Sequence, residues 1–259
     1  MSEKSENIFV QNRPFEIPFD VVTLPSRGLV YPHKISQLEV EYMTASDENI
    51  LTSPNLIRSG KHIDTLLSKK IKTKGIKPEL LLPGDRNAII NFLRYTAYGG
   101  DYSVRVYDPE TGLEFEDVVD LTKLGEKVLT EIPDDNFLFT FVAPIRKHTI
   151  KFKLLTSFDY DNLQKNAERM ATERKDNISE ILTLRLKAMI QSVEGNVDKI
   201  YISQYVDSMS PKDSLELRRY VEKIEPNLDL SYEFKSPFSG KFFRSDITLG
   251  IDYLLPDIK

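Results

Sequence analysis

Leu38, Val40 and Tyr42 alternate with polar neighbours, a two-residue period that predicts a short strand. The period then becomes helical. Thr44 or Ser46 can cap a helix with Asp47 and Glu48 in its first turn, and Ser53-Pro54 is a second cap with proline at the first helical position, closed by Gly60. Ile63, Leu66, Leu67 and the Lys70-Ile71 step repeat at helical spacing. The clearest helix of this half follows the Pro83-Gly84 break. Asp85 caps it, Ile89, Ile90, Phe92, Leu93 and Ala97 form its apolar face, and Gly99-Gly100 stops it. Residues at about 44–98 read as one helical unit.

From Asp101 the pattern alternates again. Tyr102, Val104 and Val106 lead into Asp108-Pro109-Glu110-Thr111-Gly112, and Leu113, Phe115 and Val118 lead out, which describes a hairpin. Phe137 to Val142 and Thr149 to Leu155 read as a second strand pair, so hairpins occupy about 101–155. A helical bundle is expected over about 159–225: Asp159 to Thr172, the apolar face from Ile178 to Ile190, Ile200 to Val206, and a helix opened by Ser210-Pro211 and Asp213. A last hairpin, Leu230 to Phe234 and Phe242 to Leu249, turns at Ser236-Pro237-Phe238-Ser239-Gly240 within a unit at about 230–255. The sum is an α+β fold in which β-hairpins pack with two helical groups.

Before this unit the pattern dissolves. Residues 1–13 read as a flexible tail without an apolar stretch, which predicts no secretory signal. Pro14, Pro18, Pro25 and Pro32 punctuate residues 14–35, and proline favours extended backbone, so an extended arm is expected, preceding one α+β domain at 36–259. Its apolar residues, among them Leu24, Leu29 and Tyr31, suit it to lie on a surface, in its own domain or on another chain.

Composition narrows the chemistry. The 259 residues are 40% hydrophobic and 29% charged with a net charge of −5, as in an ordinary globular chain rather than a basic nucleic-acid binder. No cysteine is present, which removes disulfides, thiolate nucleophiles and thiolate zinc sites, and His33, His62 and His148 are widely separated. No apolar run reaches the roughly 20 residues of a spanning helix. Lys69, Lys70, Lys72 and Lys74 read as a solvated face, because no aromatics interleave with them. The Asp85-Arg86-Asn87 triplet could form an anion or carboxylate site, but capping explains it better. No phosphate-binding, metal-binding or catalytic motif is found, and no cofactor or nucleic-acid partner is expected. The turns at 108–112 and 236–240 share the pattern x-Pro-x-small-Gly. A zinc knuckle, Cys-Pro-x-Cys-Gly, has the same form, so Asp108, Thr111, Ser236 and Ser239 stand where thiolates would. The two hairpins are expected side by side, held by Phe115, Phe234, Phe238, Phe242 and Phe243 in place of metal.

Three strings, Leu24-Pro25-Ser26-Arg27-Gly28-Leu29-Val30-Tyr31-Pro32, the stretch from Tyr42-Met43-Thr44-Ala45-Ser46-Asp47 to Ser53-Pro54-Asn55-Leu56-Ile57, and Gly84-Asp85-Arg86-Asn87-Ala88-Ile89, resemble the T4-type baseplate protein family of contractile-tailed bacteriophages. Asp213-Ser214-Leu215, Arg218 and Ile224-Glu225-Pro226 extend the resemblance, which covers most of residues 15–258. It implies a structural or assembly role in a baseplate hub, through contacts with other baseplate proteins and without catalysis, in the host cytoplasm during assembly and in the virion tail, with a homo-oligomer compatible with baseplate symmetry. A transient hub-assembly chaperone and a tail-associated hydrolase are the alternatives. Relatives with Cys-Pro-x-Cys-Gly turns imply a metal that this cysteine-free chain does not inherit. Pro25, Arg27 and Tyr31 in the arm, with Asp85 and Arg86, are the candidate partner contacts.

Overall fold

The computed structural model describes residues 16–174, 180–247 and 253–255, so the tail at 1–13, Pro14, Ile178 and Leu249 lie outside the described residues. The expected arm is extended only at its start, where Phe19–Thr23 forms β1, antiparallel to β2, Gln37–Glu41. Between these strands the chain coils through consecutive turns, from Leu24 O to Arg27 N, from Ser26 O to Leu29 N and from Gly28 O to Tyr31 N. Gly28 has φ 73°, and a Cβ there would stand 2.6 Å from the carbonyl oxygen of Ile35, so the return of the chain requires glycine. Prolines do not keep this stretch straight because its apolar residues have a core to reach. Leu24 and Tyr31 are buried in the main cluster with Leu38, Leu66 and Leu93, and the arm docks in its own domain.

The expected helical unit forms as α1 (Ala45–Leu51), α2 (Pro54–Arg58), α3 (His62–Lys70) and α4 (Pro83–Tyr98). Asp47 in the first turn of α1 accepts from the amide and hydroxyl of Thr44 at 2.8 and 2.9 Å and pairs with Lys69 and Lys70 at 2.7 and 2.5 Å. Burial opposes its charge, but these donors outweigh burial and hold its carboxyl down at about 2. Lys70 is therefore not on a solvated face: it is fully buried and also donates to the Tyr42 carbonyl at 2.9 Å. Helix α4 starts earlier than the pattern suggests. Leu82 is its N-cap and Pro83 its first residue, which places Asp85 inside the first turn with its side chain free to leave the helix end. Ile89, Phe92 and Leu93 are buried, whereas Ala97 in the last turn is exposed.

The alternating region forms the hairpin β3 (Asp101–Tyr107) and β4 (Glu114–Asp120), then β5 (Gly125–Lys127), β6 (Phe139–Val142) and β7 (Thr149–Phe152). The second helical group is α5 (Ser157–Arg174), α6 (Ile181–Met189), α7 (Lys199–Asp207) and α8 (Pro211–Ile224). It is not an uninterrupted bundle. Ile190–Val193 leaves α6 as a strand, β8, and pairs with β7 to complete a three-stranded sheet in the order β6-β7-β8, because Ile190 and Val193 fill the apolar face beside Ile150 and Phe152. A strand at Asn227–Asp229, β9, pairs with β5, and Ser231–Lys235 (β10) with Phe242–Asp246 (β11) forms the last hairpin. The architecture is α+β, built from small antiparallel sheets and helices. Val106, Val119, Phe234 and Ile247 form a second, smaller core between the β3–β4 and β10–β11 hairpins. No helix among the described residues is long and apolar enough to cross a membrane.

Candidate functional site

The five candidate contact residues meet around α4. Asp85 points from the first turn into the arm, where its Oδ1 accepts from the Ser26 amide at 2.9 Å and its Oδ2 from the Tyr31 hydroxyl at 2.5 Å. The same hydroxyl accepts from the Leu82 amide at 2.8 Å, so Tyr31, and not an Asp85 cap, serves the chain entering the helix. Asp85 and Ser26 are fully buried. Desolvation raises the Asp85 carboxyl above its ordinary value against the pull of these donors, and burial beside a carboxylate raises the Tyr31 hydroxyl as well. Pro25 is buried, and its carbonyl accepts from the Leu129 amide at 3.1 Å. The docking role expected of Pro25, Tyr31 and Asp85 is therefore corrected: these groups are spent inside the chain. Arg27 is the accessible member and Arg86 is largely covered, and each already has a carboxylate, Glu126 at 2.6 Å and Asp64 at 2.7 Å. Asn87 reaches Asn227 at 3.1 Å. The triplet thus ties α4 to three separate segments and forms no open anion site.

The two proline turns meet as expected. The Ser236 hydroxyl donates to Asp108 Oδ2 at 2.5 Å, and both residues are 1% exposed. The turns repeat one backbone plan. Each first residue has its amide on the carbonyl five positions on, at 3.0 Å from Asp108 to Leu113 and 2.9 Å from Ser236 to Lys241, and its carbonyl accepts from Gly112 or Gly240. Asp108 Oδ1 takes the Glu110 amide at 2.8 Å, while Ser236 Oγ takes the amides of Phe238 and Ser239 at 3.0 Å. A zinc-knuckle sulfur sits in the same position relative to its turn amides, and here an O–H···O⁻ bond joins the two halves instead of a metal. That bond, with the turn amides, outweighs the opposing effect of burial and holds the Asp108 carboxyl down at about 2. Phe115 meets Phe238 and Phe243 edge-on at 6.2 Å, and Phe234 lies 6.1 Å from Phe243. Phe242 is a correction, since it is largely exposed beneath Lys235 and does not join the cluster.

Two other polar groupings are present. A groove of about 370 Å³ between α6 and α8 is lined by Leu182, Met189, Arg185, Arg218, Glu222 and Glu225. The Tyr160 hydroxyl donates to Glu225 at 3.3 Å and accepts from Arg185 at 3.0 Å, and burial raises the Glu225 carboxyl. The second grouping places His148 5.6 Å from Tyr205, with the Arg146 guanidinium 5.1 Å from the same ring and Asp213 Oδ1 accepting from the Ile145 amide. Among the described residues no three His, Cys, Asp or Glu side chains are placed to hold a metal ion.

Sequence reasoning missed Ser26, whose bond to Asp85 spans 59 positions, and the Glu225 groove, which forms only when α6 and α8 are laid together. No periodic signal connects such residues. In comparisons with protein-family models, curated proteins and solved structures, nothing matches this chain.

Proposed function

We propose that this chain is a structural or assembly protein of a contractile phage baseplate hub, acting through protein–protein contacts without catalysis. The observation that carries the reading is the resemblance of the strings at 24–32, 42–57 and 84–89. The strings at 24–32 and 84–89 meet in the Tyr31–Asp85–Ser26 bonds, and the third supplies the Asp47 pairs that hold α1 to α3. A resemblance concentrated in residues that specify the fold is what a scaffolding role requires, since no reactive constellation has to be kept. Accessible binding surface is then sought on the rims of this frame rather than in the arm.

Mass spectrometry of purified tails beside lysate containing assembly intermediates tests the reading. Fixed stoichiometry in tails is the expected result, presence in intermediates alone assigns a chaperone role, and absence from both overturns it. The hydrolase alternative draws on one observation, the half-buried Glu225 in the α6–α8 groove, whose carboxyl desolvation raises. Peptidoglycan cleavage by the purified chain that is lost in Glu225→Gln would favour it.

A further inference from the structure

The net charge of −5 conceals two opposite poles. Residues 101–120, the β3–β4 hairpin, carry seven carboxylates and one cation, Arg105, for a net of −6. Residues 58–77, covering the end of α2, α3 and the following loop, carry seven cations and one carboxylate, Asp64, for a net of +6. Internal pairing neutralises part of each pole: Lys241 holds Glu110, Lys123 holds Asp120, and Asp47 holds Lys69 and Lys70. Arg58, Lys61, Lys74 and Lys77 remain exposed with no ion pair among the described residues, and so does Glu114 on the hairpin.

The hairpin has one face spent and one face open. Val106 and Val119 point into the smaller core against Phe234. On the other face Arg105 stands opposite Glu116 and Tyr107 opposite Glu114, and the side chains of Tyr107, Leu113 and Val118 are 65%, 51% and 52% exposed. Exposed apolar residues flank the basic pole, Ile57 before it and Leu80 after it. Among the described residues no ion pair joins the two poles within one chain; Asp64 in α3 pairs with Arg86 in the first turn of α4, and the hairpin's Glu110 pairs with Lys241.

We infer that the open face of the β3–β4 hairpin docks on the basic pole, around Arg58, Lys61, Lys74 and Lys77, of a second copy of this chain. The unpaired charges are opposite in sign, and exposed apolar side chains stand in or beside both surfaces, so the contact combines steering with burial. Used once between neighbours, the contact is head-to-tail and builds a ring or a filament; reciprocated about a two-fold axis, it closes a dimer. The inference stands apart from the baseplate reading, because a chain that stays monomeric overturns it and leaves the tail composition untouched.

Sedimentation of the purified full chain across salt concentrations tests it. Association at 50 mM salt that weakens about tenfold or more by 500 mM is expected. Glu114→Lys/Glu116→Lys and Lys74→Glu/Lys77→Glu, whose sites are all exposed, should each be monomeric with unchanged circular dichroism. Mixing the two variants should restore association, because the reversed acidic face of one then fits the reversed basic pole of the other. A wild-type chain monomeric at low salt, association indifferent to both charge reversals, or a mixture that stays monomeric overturns the inference. So does a basic pole that binds a DNA duplex in a Lys74/Lys77-dependent manner while the chain itself does not associate.

Discussion

The docked arm and the paired hairpins solve one problem, joining distant segments, with the same materials: a buried aspartate, a hydroxyl donor 2.5 Å away and backbone amides. The outcomes differ because their depths differ. Asp85 lies under the main core, where desolvation outweighs its donors and raises its carboxyl. Asp108 lies between two hairpin turns beside the smaller core, where the Ser236 hydroxyl outweighs desolvation and its carboxyl is held down at about 2. A hydrogen bond to a carboxylate therefore does not by itself say which protonation state the fold favours; the balance of desolvation against all its donors and cations does. The arm is wedged into a core, and the hairpins are clasped at an edge.

The largest way to sharpen that contrast is to change the chemistry of the clasp. Replacing Asp108, Thr111, Ser236 and Ser239 together by cysteine should create a zinc site, because both turns already aim their amides as knuckle turns do. At free zinc a thousandfold above Kd the variant should gain about 4 kcal/mol over its apo form in urea unfolding. Failure to bind zinc with the fold intact would show that the two turns are not aligned as a knuckle pair.

Glycine substitutions probe the same difference in depth. A Cβ at Gly84 would stand 2.0 Å from the carbonyl oxygen of Pro226, a backbone wall, so Gly84→Ala should cost about 3 kcal/mol or more by urea unfolding. Gly112 at the clasp has φ 69° and nothing within 4 Å of an added Cβ, so Gly112→Ala should cost only about 1 kcal/mol, the strain of the left-handed backbone. Equal losses would remove the distinction between wedge and clasp. Tyr31→Phe falls between them. It keeps the ring and strips Asp85 Oδ2 and the Leu82 amide of their partner, which should cost about 2 kcal/mol in the same assay.

These elements also mark what could be read in advance. Helical spacing located α3, α4 and α8, and turn chemistry located both hairpins, because periodicity and proline-glycine turns are local properties. The kinship of the two proline turns was legible because both carry the same five-residue pattern. The arm was not. Its prolines argue for extension residue by residue, while its fold depends on Ser26 and Tyr31 finding a carboxylate 59 and 54 positions away. Strand β8 was hidden for a related reason, since Ile190 suits either a helix face or a strand and only the neighbouring β7 decides between them.

Acid separates the two aspartates most directly. The folded-state carboxyl of Asp108 lies near 2, below its ordinary value of 3.8, so the stability it contributes is complete above about 3.8 and is lost as pH falls toward 2. Asp85 has the opposite sign. Its folded-state value is raised, so protonation favours the folded arm, and its contribution is full at low pH and declines as pH rises through that raised value. Carboxyl-carbon NMR followed from pH 6 to pH 2 should show Asp85 titrating first and Asp108 last, with line broadening at Phe115 and Phe238 accompanying only the second event. Coincident midpoints, or Asp108 titrating before Asp85, would mean that depth does not distinguish the two carboxylates. Asp47, also held near 2 by Lys69 and Lys70, serves as the internal control, because it is fully buried yet ion-paired and should titrate with Asp108 rather than with Asp85. Depth raises a carboxyl only where the donors and cations around it do not outweigh desolvation.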